Sequence, residues 1–138
     1  MKRIILILLS VLPLLVLAKG KQDSRLIVIT IDAARGTDAF IRDIYETLEA
    51  DRFYKGKTTY LVTCDHGRGF GNEWSNHGSS TKGSEATWLM LLGKGIDAKG
   101  ETKECGPFYT KQIAVTIASI LGIDFTPDDG AKLQPIGM

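Results

Sequence analysis

The sequence predicts an α/β protein with a small, largely parallel sheet flanked by helices. Two continuous β-branched runs, Leu26–Ile31 and Thr58–Cys64, are separated by a segment with helical apolar spacing. Runs of that kind read as strands buried on both faces, which is the habit of a parallel sheet. A third apolar run, Thr87–Leu92, and a second helical segment follow in the same chain. Strand, helix, strand, strand, helix is the order of an α/β domain.

The chain opens on a different pattern. Lys2 and Arg3 form a basic start, Ile4 to Leu17 an apolar stretch broken by Pro13, and Val16-Leu17-Ala18 a small-residue cleavage site. Residues 1–18 are expected to be a secretory signal peptide. The stretch is shorter than the roughly 20 residues that span a bilayer, and an uncleaved anchor is the alternative. Residues 19–138 then form one domain, exported to the periplasm or outside the cell, with no stable membrane insertion after cleavage. A net charge of +1 excludes the strongly basic surface of a nucleic-acid binder. In an oxidising compartment Cys64 and Cys105 can pair, but Cys64 lies in a strand pattern where a buried free thiol fits equally well.

The elements follow in order. Leu26–Ile31 is a strand that delivers Asp32 at its C-terminal end, before the Ala33–Gly36 turn. Thr37 or Asp38 is placed to cap a helix over Asp38–Ala50, with Phe40, Ile41, Ile44, Tyr45 and Leu48 on one apolar face. Lys55-Gly56-Lys57 is a turn, and Thr58–Cys64 is the second strand. A polar, glycine-rich loop leads to the third strand, Thr87–Leu92. Tyr109–Leu121 is a helix with Ile113, Ile117, Ile120 and Leu121 inward and Gly122 as its stop. The last stretch, rich in Pro, Asp and Gly, is irregular.

The chemistry is concentrated in Thr58–Gly78. An apolar strand runs into Asp65-His66-Gly67, and a second His-Gly, His77-Gly78, follows closely. Parallel strands joined by a right-handed crossover put their C-terminal ends on one sheet edge, where open α/β sheets bind ligands. If the first two strands are neighbours, Asp32, Asp65 and His66 converge there, and His77 is free to fold back over the same edge. Such mixed oxygen and nitrogen donors suit a divalent metal, Zn²⁺ first and Mn²⁺ next. Each residue also has a plainer role: Asp32 as a turn former, His77 and Arg68 as solvated loop residues.

The segments VTCDHGRG, WSNHG, WLMLLGKGI and YTKQIAVTIASILGI, in that order, resemble the C-terminal part of the alkaline phosphatase superfamily. That superfamily includes alkaline phosphatases, sulfatases, nucleotide pyrophosphatases and cofactor-independent phosphoglycerate mutases. The similarity runs from about Thr37 to Pro135. Separately, LIVITIDAARG resembles the family's first strand, whose terminal Asp is a metal ligand. The resemblance implies Asp65 and His66 on one metal with Asp32 as a third ligand, and His77 on a second metal. It implies Zn²⁺, with Mn²⁺, Mg²⁺ or Ca²⁺ as alternatives, and a small-molecule phosphate or sulfate ester as substrate. Arg68 would contact the anionic group. In the family, two ions about 4 Å apart activate a Ser or Thr nucleophile and stabilise the leaving oxygen. A covalent phosphoryl- or sulfo-enzyme is then hydrolysed.

The chain departs from that pattern in one large respect. Family members run to several hundred residues, whereas only Ala33–Gly36 separate Asp32 from Thr37. The absent region is where the family keeps its nucleophile and the Asp and His that complete the second site, and no Asp-x-x-x-His occurs. The sequence therefore reads as a truncated alkaline-phosphatase-like fold with an internal deletion. Thr37, at a helix N-terminus, reads as a cap rather than a substitute nucleophile. The expected function is that of a metal-dependent phosphate or sulfate monoester hydrolase by descent, impaired by that loss. The alternative is a catalytically incomplete, secreted metal-binding remnant or gene fragment.

Overall fold

The computed structural model describes residues 25–32, 37–102 and 107–138. The expected signal peptide, the Ala33–Gly36 turn and Cys105 lie outside the described residues. The elements are β1 (Arg25–Ile31), α1 (Asp38–Ala50), β2 (Thr58–Cys64), a 3-10 turn (Gly71–Glu73), β3 (Leu89–Gly93) and α2 (Lys111–Leu121).

Period-two alternation in the strands sends apolar side chains to both faces of the sheet. On one face Ile27, Ile29, Ile31, Tyr60 and Val62 pack with Tyr54 and with Ile41, Ile44 and Leu48 of α1. On the other, Leu26, Val28, Leu61, Leu89 and Leu91 pack with Ile113, Ile117, Ile120 and Leu121 of α2. The result is a small mixed α/β fold with one helix on each face. The middle strand, β2, is buried along its whole length.

The strand order is β1-β2-β3. β1 and β2 are parallel, in register from Arg25↔Thr58 to Ile31↔Cys64. β2 and β3 are antiparallel, from Thr59↔Gly93 to Thr63↔Leu89. This corrects the expectation of a largely parallel sheet. A parallel pair needs a crossover connection, usually a helix. The first connection contains α1, whereas the second carries only the 3-10 turn and folds up at the edge where β2 ends, so β3 runs back.

Local chemistry sets the element ends. β3 starts at Leu89, later than expected, because Trp88 turns outward and offers only its carbonyl to the Thr63 hydroxyl, at 2.7 Å. α2 starts at Lys111, with the Gln112 side chain accepting the Tyr109 amide at 2.8 Å. It stops at Gly122, which takes the left-handed conformation (φ 66°) while the Ile123 amide returns to the Ala118 carbonyl at 2.9 Å. Thr37 stands at the cap position of α1 but is itself in helical conformation, and its side chain makes no cap hydrogen bond. Thr37 therefore caps α1 by position, its carbonyl accepting the Ile41 amide at 2.9 Å, and not through its side chain.

α1 rides high on the sheet: none of its residues is fully buried, and Phe40 and Tyr45, expected inward, remain exposed. It is anchored by Glu49, which accepts the Tyr60 hydroxyl at 2.8 Å and the Gly56 amide at 2.9 Å. Tyr45 adds an edge-to-face contact with Tyr60, centroids 5.1 Å apart. Cys64 is a free, buried thiol. No helix among the described residues is long and apolar enough to cross a membrane.

Candidate metal centre

The site is built by the parallel register. Ile31 and Cys64 are partners, so the next residues, Asp32 and Asp65, emerge side by side at the C-terminal edge of the β1–β2 pair. The Asp65 amide extends the ladder by donating to the Ile31 carbonyl at 3.3 Å. His66 follows directly, and its Nε2 lies 3.5 Å from Asp32 Oδ1 and 3.5 Å from Asp65 Oδ2. One donor atom from each of the three residues falls within 4.8 Å of the other two.

The orientation of His66 decides what this cluster can do. Its Nδ1 sits 2.8 Å from the Gly67 carbonyl oxygen, which can only accept a hydrogen bond. Nδ1 therefore carries a proton, and Nε2 is the nitrogen turned to the two carboxylate oxygens, with a lone pair to give whenever the ring is neutral. Asp65 Oδ1 accepts the His66 amide at 2.9 Å, which fixes that carboxylate and turns Oδ2 toward Nε2. Two anionic oxygens and a lone pair aimed at one point repel each other unless a proton or a cation lies between them.

The spacing suits a cation. With bonds of about 2.1 Å and tetrahedral angles, two ligand atoms on zinc are separated by about 3.4 Å, close to both observed distances. An imidazole in the set argues for a transition metal over Mg²⁺ or Ca²⁺, which favour oxygen donors. The side chains of Asp32, Asp65 and His66 are 64%, 43% and 26% exposed, so the cluster opens to solvent on one side. Three protein ligands with an open position is the arrangement of catalytic rather than structural zinc.

The loop after β2 is a mount tied together by backbone hydrogen bonds. The Gly67 amide donates to the Ser84 carbonyl and the Gly69 amide to the Asn76 carbonyl, each at 2.9 Å. Backbones approach so closely that a Cβ on Gly67 would run into the carbonyls of Gly83 and Ala86. Gly83, at φ +101°, packs against the Arg68 carbonyl and the Phe70 ring. Glu85 accepts its own amide and that of Gly83, which holds its carboxyl below the ordinary range.

His77 arrives on this mount. Its ring stacks on that of His66, with centroids 4.3 Å apart and planes 11° from parallel. It does not belong to the group of three converging donors. Arg68 is half-buried in the loop two residues past His66. Glu73 and Trp74, in and after the 3-10 turn, are exposed. The close-packed partner of the Asp-His-Gly corner, Gly83–Ala86, had only one sequence signal, the repeated glycines at 67, 69 and 83.

No family model matches this chain, and no curated protein and no solved structure is significantly similar to it. What the site can hold is set by its own donors: two carboxylates and one imidazole.

Proposed function

We propose that the chain is an exported divalent-metal-binding protein of alkaline phosphatase superfamily descent, which keeps one ion site built from Asp32, Asp65 and His66. The reading rests on one observation above all: His66 Nε2 faces both carboxylates at 3.5 Å while Nδ1 is held on the Gly67 carbonyl. The order of the VTCDHGRG, WSNHG and WLMLLGKGI motifs supports the descent, and the pattern of Met1–Ala18 supports export.

Zn²⁺ fits the donor set best. Held there, such an ion would supply the positive charge that polarises an oxygen of a phosphate or sulfate monoester. Asp32 and Asp65 hold that charge at the sheet edge, and His66 completes the set while its Nδ1–H stays on Gly67. Arg68 is the nearest guanidinium in sequence for a bidentate contact to the ester's free oxygens. With the segment between Asp32 and Thr37 so short, no nucleophile is assigned, and the chain acts as a binding site with impaired or absent turnover.

Elemental analysis of the purified protein tests this. Wild type is expected to hold Zn or Mn, and Asp65→Ala and His66→Ala to lose it. Equal metal in all three overturns the reading. Aryl phosphate and aryl sulfate assays with excess Zn²⁺ then divide hydrolase from binding protein. Turnover that depends on Asp65 and survives Thr37→Ala belongs to the ion site, and no turnover leaves a binding protein.

A further inference from the structure

His77 stands beside the donor set without joining it, and its geometry gives it a different task. An ion held by an imidazole lies in the plane of the ring, along the nitrogen lone pair. The His66 and His77 planes are 11° from parallel, with centroids 4.3 Å apart. An ion on His66 Nε2 would therefore lie off the plane of the His77 ring, the plane in which that ring's own lone pair points.

The stack is built into the backbone rather than left to chance. The Gly69 amide to the Asn76 carbonyl, at 2.9 Å, closes the loop that starts after His66 and ends just before His77. The Asn76 amide in turn donates to the Glu73 carbonyl at 2.8 Å. On the other side, Gly67 is pinned against Gly83 and Ala86. Both rings are thus carried by segments tied to one mount. His66 itself is held at Nδ1 by a single bond to Gly67, which leaves its ring free to tilt unless a face is covered.

We infer that His77 is a positioning residue that stacks on His66, holds its Nε2 on the two carboxylates, and leaves the chain with one ion rather than two. The inference rests on the metal reading proposed above. Partners that orient a ligating histidine are worth about 10- to 100-fold in metal affinity. Stacking needs a flat ring and no nitrogen, whereas ligation needs the nitrogen.

That difference supplies the test. Zn²⁺ stoichiometry and affinity are measured on the purified wild-type protein and on His66→Ala, His77→Phe and His77→Ala. The His66 ring proton shifts are recorded by NMR before metal is added. The expected result is one Zn²⁺ in wild type, near-native affinity in His77→Phe, and a loss of about tenfold in His77→Ala. The metal-free His66 ring protons should lie upfield in wild type and His77→Phe and return downfield in His77→Ala. Equal losses in His77→Phe and His77→Ala, or a second ion that disappears with His77, would make it a ligand and overturn the inference alone. So would affinity and ring shifts that ignore both variants. A wild type that takes no Zn²⁺, or a His66→Ala variant that keeps it, overturns the metal reading and the inference together.

Discussion

Ile31 and Cys64 are register partners at the end of the parallel β1–β2 pair, and an aspartate follows each of them. That pairing joins two residues far apart in the chain into one carboxylate pair, and His66 then needs no further element to complete the cluster. The dependence on β1 is what separates a site made by the fold from a local Asp-His turn.

Asp32→Asn should lower Zn²⁺ affinity by roughly a hundred- to a thousandfold, the share of one ligand in the about 10–16 kcal/mol of a four-ligand zinc site. Because Asp32 is exposed at a strand end, unfolding free energy without metal should stay within about 0.5 kcal/mol of wild type. Calorimetric Zn²⁺ titration beside urea denaturation checks both. Unchanged affinity would mean that Asp65 and His66 act without β1.

Gly67→Ala should destabilise the metal-free protein by about 1–3 kcal/mol, because its Cβ has no room beside the Gly83 and Ala86 carbonyls. It should also weaken Zn²⁺ binding, since the same shift moves the carbonyl that holds His66 Nδ1. Gly56→Ala is the control: at φ +63° with open space around it, it carries only the left-handed backbone cost of about 1–2 kcal/mol. Its Zn²⁺ affinity should be native.

Thr116 has no exposed surface, and its hydroxyl donates to the Gln112 carbonyl at 2.7 Å while accepting the Ile136 amide at 2.9 Å. Thr116→Val leaves that buried amide without a partner, at a cost of about 1–3 kcal/mol. Hydrogen exchange at Ile136 should accelerate while the sheet amides keep their protection. Uniform acceleration across the chain would show that the tail and core unfold together.

Tyr60 gives a pH signature. Burial, and after it the hydrogen bond to Glu49 and that residue's charge, push its phenol well above the ordinary value near 10. The folded state then holds the proton more tightly than the unfolded chain. That stabilisation is complete below about pH 10 and is lost as pH rises through the folded value. Tyr60→Phe should be less stable than wild type at neutral pH by about 1.5 kcal/mol. The gap should narrow in urea titrations above pH 10. A constant gap would place the Tyr60–Glu49 bond outside the stability of the fold.

Much of the fold was legible because its signals are local. The β-branched runs gave β1 and β2 to within a residue, and Gly122 marked the stop of α2. The direction of β3 was not legible, since it depends on whether the Asp65–Trp88 segment crosses the sheet or curls at its edge, and its composition permits either. For the inward face of α1, Ile41, Ile44 and Leu48 followed the helical period. Phe40 and Tyr45 followed it only in part: both stay exposed, although the Tyr45 ring still meets Tyr60 of β2 edge-on. At the site, the sequence placed Asp32, Asp65 and His66 together only on the condition that the first two strands are neighbours, and the β1–β2 register meets that condition. The His66–His77 stack was not legible, because it is set by the Gly69–Asn76 backbone bond inside a loop with no periodicity to read.

On the proposed metal reading, His66 offers Nε2, and not Nδ1, to a cation shared with Asp32 and Asp65. Nitrogen-15 NMR of the His66 ring during Zn²⁺ titration tests it most directly. The Nε2 resonance is expected to move with the first equivalent of Zn²⁺ while Nδ1 stays protonated on Gly67. A shift at Nδ1 in place of Nε2, or neither nitrogen responding to Zn²⁺, would contradict it.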